Sequence, residues 1–304
     1  MRITDLTRRC KNPTCPHRGR PWRILRASTE GIFLNGFWHC SSACFEETLG
    51  EFLVRLLPAA TRQKSTAHRI PLGLLLLSLG LINEAQLKQA LKAQRESEKG
   101  RLGDWLRNLG TVTEMQITQA LARQWSLAVF PLANNEKYRE CAHLVPLPLL
   151  ENSEMVPVHF LPPTRQLYMA FAEGVDYTAL YAVEQMLDLR TEPCLAPQSE
   201  IQCALDEIRR QPRPREILYE VRRDPQGWAK SARAMAGTVR RQAEETGTQE
   251  VRLVACGGFL WSRLQDSSGF SDLLFQIVSE NVMTTASNER QEDSLPSPTQ
   301  PQEA

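Results

Sequence analysis

Eight cysteines stand in the 304-residue chain, and four of them form two close pairs, Cys10 with Cys15 and Cys40 with Cys44. Two short thiol pairs on separate knuckles are how a chain offers four soft ligands to one tetrahedral ion. Four protein ligands leave no open position for water, so the site expected here is structural and its ion zinc. A module this small draws much of its folding energy from such an ion, on the order of 10 kcal/mol. His17 and His39 stand close enough in sequence to replace a cysteine. The plainer alternative is four ordinary buried thiols.

Other side chains with chemical potential form no catalytic pattern. The five histidines show no H-E-x-x-H spacing, and no G-x-S-x-G occurs. Cys141, Cys194, Cys203 and Cys256 carry no nucleophile signature, and Glu244-Glu245 lies on a helix face expected to be solvated. The chain is therefore expected not to be an enzyme. Residues 1–26 hold eight Lys or Arg against a single Asp, a local +7. That suits nucleic acid or an acidic partner, but Lys+Arg 36 against Asp+Glu 35 over the whole chain makes nucleic acid the lesser expectation.

A further set of residues recurs. Residues 71–94 and 101–124, offset by 30, share 11 identities in 24 positions, among them Leu72/Leu102, Gly73/Gly103, Gly80/Gly110, Leu91/Leu121 and Gln94/Gln124. Each copy reads as a short helix closing near a glycine, then a tight turn, then a longer helix. Asn83-x-x-Gln86 and Thr113-x-x-Gln116 have capping-box form and define where each longer helix starts. Leu87 and Leu91, like Ile117 and Leu121, then stack at i, i+4, with the glutamine one turn further on. Two such copies pack as a pseudo-symmetric pair.

The rest of the chain must position these groups. At 42% apolar and 23% charged residues it has the composition of a globular protein. It contains no apolar run of 18 residues, so no membrane span is expected. The N-terminus has no apolar signal core, which points to a cytoplasmic chain with reduced thiols. The expected fold is multi-domain α+β. A finger at 1–57 is followed by a linker at 58–68, a helical repeat half at 69–130 and an α/β half at 131–211. A small αβ module at 212–283 and a disordered tail at 284–304 complete it. In the finger, strand, cysteine and then a helix carrying the next cysteine resemble a treble-clef zinc finger. The last module is expected to hold a helix over about 226–245 ended by Thr246-Gly247, a hairpin turning at Gly257-Gly258, and a strand at Leu273–Val278.

The motif Arg101-Leu102-Gly103-x-x-Leu106-x-x-x-Gly110-x-Val112, continued by Ile117, Leu121 and Gln124, resembles the amino-terminal domain of type II secretion and type IV pilus assembly ATPases. That is the GspE amino-terminal, or MshEN, family. The resemblance runs on through Leu144-Val145-Pro146, Met155-Val156-Pro157-Val158, Leu167-Tyr168-Met169-Ala170 and Asp176, and covers residues 69–211. It implies a secretion or pilus ATPase, or another protein, as partner. Some members bind cyclic di-GMP, and the resemblance implies one repeat copy per nucleotide half. Arg101 would then meet a guanine, with its fork on N7 and O6. Gly73 and Gly103, each after a leucine, would admit the ligand to the backbone. Leu72, Leu102, Leu87, Leu91, Ile117 and Leu121 would line it, and Gln94 and Gln124 would bond its polar edges. In the first copy the motif arginine is replaced by Pro71, and Arg69 is its nearest substitute. The motor that follows this domain in the ATPases is not expected, because no G-x-x-x-x-G-K-[ST] occurs. These features together suggest a regulatory or adaptor protein. The alternatives are a nucleic-acid-binding finger protein and a scaffold whose repeat only packs helices.

Overall fold

The computed structural model describes residues 9–16, 31–61, 70–97, 100–133, 135–223 and 227–278. Its first regular element is a hairpin of β1 (Ile32–Leu34) and β2 (Phe37–His39). Asn35 and Gly36, at φ 47° and 80°, make its two-residue turn, the left-handed geometry that Asn-Gly accepts most readily. Helix α1 (Ser42–Ala60) follows, started by Ser41, whose hydroxyl accepts from the Cys44 N–H. Phe45, Leu49, Leu53 and Leu57 repeat every four residues along it, and all four are fully buried. The helix thus runs three residues into the segment expected to be linker.

The repeat folds as its spacing predicts. Helices α2 (Leu72–Ser78) and α3 (Glu84–Ser97) form the first copy, α4 (Leu102–Asn108) and α5 (Glu114–Trp125) the second. Gly80 and Gly110 take φ 67° and 66° in equivalent turns. Both capping boxes are formed. Asn83 accepts from the Gln86 N–H at 2.9 Å while Gln86 accepts from Asn83, and Thr113 and Gln116 do the same. The copies interlock, with α2 packed on α5 and α3 on α4 around Leu76, Ala90, Leu106 and Ala120.

The α/β half holds α6 (Tyr138–Cys141), a 3-10 turn at Ala142–Leu144, α7 (Leu147–Asn152), β3 (Met155–Leu161), β4 (Gln166–Phe171), α8 (Tyr177–Leu187), β5 (Arg190–Leu195) and α9 (Gln198–Arg210). Its sheet has the order β3-β4-β5, antiparallel and then parallel. Asp176 caps α8 by accepting from the Thr178 and Ala179 N–H groups at 3.1 Å.

The last part contains β6 (Arg215–Arg222), α10 (Ala229–Thr246), β7 (Glu250–Cys256), β8 (Phe259–Gln265) and β9 (Phe270–Val278). Gly247 ends α10 at φ 65°, and Gly257-Gly258 turns the β7–β8 hairpin, both as expected. Strand β6 was not foreseen. The segments at 1–57 and 212–283, distinct along the sequence, meet in one six-stranded sheet of order β2-β1-β7-β8-β9-β6. Helices α1 and α10 cover one face of it around a common core of Ile32, Leu34, Leu49, Val239, Leu253 and Phe275. On the other face Cys256, Phe259, Trp261 and Leu274 join the core of the α/β half. Arginines secure that joint. Arg213 donates to the Ala142 and Val145 carbonyls, Arg263 to that of Leu144 and Arg252 to that of Met186. Among the described residues no helix is long and apolar enough to cross a membrane. The 284–304 segment lies outside the described residues.

Candidate functional site

Cys10 and Cys15 stand on a short loop, Cys40 directly follows β2, and Cys44 sits in the first turn of α1. Asn12 shapes the loop. Its side chain accepts from the Thr14 N–H at 3.0 Å, and its backbone carbonyl accepts from the Cys15 N–H at 3.3 Å. Buried Asn12 also donates to Glu47 of α1 at 2.8 Å, and Thr14 reaches the same carboxylate, which holds the loop against the helix. The four sulfurs thereby lie within 4.8 Å of one another, with Cys15–Cys40 at 3.5 Å and Cys40–Cys44 at 3.8 Å. A tetrahedral ion at a metal–sulfur distance of about 2.3 Å sets its ligands about 3.8 Å apart, so the donor set fits one.

Without an ion, burial holds two of these thiols protonated. Burial, followed by neighbouring thiols, pushes Cys40 far above the ordinary thiol range, and burial also raises Cys10. Burial works to raise Cys44 too, but hydrogen bonds from Ser41 and Asn12 outweigh it and leave that thiol lowered. A bound dication reverses the balance by displacing the protons. His39 is no substitute ligand. It is buried and packs edge-on against Phe45, with ring centroids 6.2 Å apart, and it does not join the sulfur cluster. His17 lies outside the described residues.

The repeat residues divide into three groups. Leu72, Gly73, Leu87, Leu102, Gly103 and Ile117 meet where the copies interlock. A Cβ on Gly73 would stand 2.8 Å from Leu87 Cδ1 and 3.1 Å from Leu102 Cδ2; on Gly103 it would stand 3.5 Å from Ile117 and 3.7 Å from Leu72. Gly73 is buried, so its missing side chain serves helix packing there. The second group forms reciprocal ties. Gln94, ending the first copy, donates to the Gly100 carbonyl at 3.0 Å, just before the second copy. Gln124, ending the second, donates to the Ile70 carbonyl, just before the first. Each copy thus holds the entrance of the other, an approximate twofold.

Third, Arg101 is exposed and aimed at the α/β half. Its Nη1 lies 2.9 Å from Glu173 and 3.2 Å from Glu154. Burial pushes the Glu173 carboxyl above the usual carboxylate range, although Arg101 draws it down. Leu91 stays half-buried, Leu121 is buried in the core of the α/β half, and Arg69 lies outside the described residues. The glutamine ties and the Glu154–Glu173 pair carry no signal in the sequence beyond the repeated glutamine itself, because their partners are a backbone carbonyl and a distant segment.

Comparison with known proteins finds relatives for less than half of the chain. No family model matches it, and neither does any curated protein. Among solved structures, one of MshE with cdg is 31% identical, at a TM-score of 0.40, with 46% of this chain and 99% of that chain covered. The chain belongs to the MshEN family. Two crystal forms of the XpsE N-terminal domain are 20% and 22% identical. They cover 44% and 43% of this chain and 91% and 89% of theirs, with TM-scores of 0.34 and 0.26. The MshE match leaves more than half of this MshEN chain uncovered.

Proposed function

We propose that this MshEN chain is a non-catalytic, cytoplasmic adaptor that binds cyclic di-GMP through its paired repeat. It would present the bound form to a type II secretion or type IV pilus component, with a structural zinc ion holding its finger. One observation carries this reading: the two copies hold each other's entrances through Gln94 and Gln124, and Arg101 stands exposed at the second entrance. A ligand made of two like halves suits a receptor of two like halves. The relationship to MshE, solved with cdg, supports the same ligand. Within this reading Arg101, exposed and oriented by Glu154 and Glu173, meets one guanine with its guanidinium. Leu91, half-buried and one turn before Gln94, is the nucleotide's apolar contact. The glutamines act by fixing the entrances rather than by touching the nucleotide.

Zinc suits four thiolates better than the hard cations, which prefer oxygen. When bound it supplies no chemistry beyond cross-linking the loop, β2 and α1. Calorimetric titration of the purified chain with cyclic di-GMP tests the proposal, with metal analysis on the same sample. Saturable heat that Arg101→Ala weakens by roughly one to two decades is expected, the loss of one charge-assisted contact. Absence of heat at tens of micromolar protein would reject nucleotide binding. A preparation free of zinc that keeps residues 9–16 and the first turn of α1 ordered would reject the structural metal.

A further inference from the structure

Strand β7 is seven residues long, but its outer neighbour covers only its start. Phe33 pairs with Glu250 and Leu34 with Val251, after which the chain turns away at Asn35-Gly36. The Asn35 carboxamide then stands in for one more strand residue. It accepts from the Leu253 N–H at 2.8 Å and donates to the Leu253 carbonyl at 3.3 Å. Strand ladders alternate, and the Asn35 N–H bonds to Val251, so the odd-numbered backbone groups of β7 point away from β8. Next in that row is Ala255, beyond the reach of Asn35.

The Ala255 N–H and C=O open into a cleft of about 610 Å³. Phe52, Leu56 and Ala59 of α1 form one wall, and Tyr181, 62% exposed, and Gln185 of α8 form the other. Asp188 and Glu250 line it, paired at its rim with Arg165 and Arg252, together with Asp176, the buried cap of α8. Sheet edges are ordinarily blunted by lysine, proline or a bulge. Here the edge is recessed between two helices and walled with apolar side chains. A donor and an acceptor at strand spacing are what another backbone supplies, and alternating side chains then read the two walls.

We infer that this cleft is a strand-addition site for an extended segment of a partner protein, aliphatic on the α1 side and basic on the other. The aliphatic side continues the row of Val251 and Leu253, which face α1, and the basic side answers Asp188 and Glu250, whose present pairs with Arg165 and Arg252 are surface ion pairs that a bound cation can replace. The site lies apart from the repeat, so it holds whether or not the chain binds a nucleotide.

Selection of a random twelve-residue displayed peptide library on the full chain tests this, with subtraction on Ala59→Trp, an exposed wall position whose indole fills the cleft. Peptides alternating aliphatic and basic residues are expected. A synthetic copy of the enriched peptide should slow hydrogen exchange at the Ala255 amide and leave Val254, already paired with β8, unchanged. Methylating alternate backbone nitrogens of that peptide should weaken binding at least tenfold. Overturning results are no enrichment over the Ala59→Trp chain, an unchanged Ala255 amide, or equal binding by the methylated peptide.

Discussion

Gly73 and Gly103 occupy equivalent places in the repeat, yet their surroundings differ. A Cβ at Gly73 meets Leu87 at 2.8 Å, closer than side chains tolerate, whereas at Gly103 the nearest atom is 3.5 Å away. Gly73→Ala should therefore leave the chain about 1 kcal/mol less stable than Gly103→Ala, because overpacking against Leu87 offsets the helix gain that alanine brings at both positions. Urea unfolding followed by circular dichroism separates the two; equal losses would show that the Leu87 contact does not set the requirement. Arg101 offers a second test at this scale. Glu173 holds Nη1, so under the nucleotide proposal Glu173→Gln should weaken cyclic di-GMP binding by about tenfold, the worth of one hydrogen bond to a charged group. In an Arg101→Ala background the same change should have no further effect. Tighter binding by Glu173→Gln would mean that the carboxylates compete with the ligand instead of positioning the arginine.

Helix α1 ties the metal cage to the sheet, because Cys44 lies in its first turn while Phe45, Leu49, Leu53 and Leu57 are buried under β1, β7 and β8. Removing the ion with a chelator should therefore loosen residues 9–16 and the start of α1 while the rest of that helix persists. Hydrogen exchange should show fast amides at Cys15 and Cys44 and protected ones at Leu53 and Leu57. Loss of protection along all of α1 would show that the ion, rather than the buried leucines, maintains the helix. The same elements show what the sequence made legible. The repeat could be read because identical residues recur at one offset and each longer helix carries its own capping box. The cage could be read because two thiol pairs announce a tetrahedron. Strand β6 was hidden: it follows Pro212-Arg213-Pro214, and Arg215, Glu216, Glu220 and Arg222 give it the look of a polar connector. Its register comes from β9, 56 residues further along, through the pairing of Arg215 with Ser271.

The two ends of the molecule share one core, and no local pattern could reveal it. The parallel pairing of Phe33 with Glu250 joins segments more than 200 residues apart, and Asn35 reinforces it through Leu253. Arg240 of α10 adds an ion pair to Glu46 of α1 at 2.8 Å. The finger is thus one of the two helical covers of the C-terminal sheet, with α10 the other. Without residues 1–61, the α1-facing side of Val251, Leu253, Leu260 and Leu264 would meet water. Burial of each such side chain is worth about 1.5–3 kcal/mol, so their combined exposure rivals the whole stability of an ordinary domain. A chain lacking residues 1–61 should therefore aggregate or bind a hydrophobic dye, and the full chain should unfold its finger and C-terminal sheet in one transition. Trp38 beside the cage and Trp261 in β8 report the two ends, and single-tryptophan variants retaining either one should give coincident urea midpoints. A soluble, cooperatively folded truncated chain, or midpoints that separate, would return the finger to the independent module its cysteine spacing suggests.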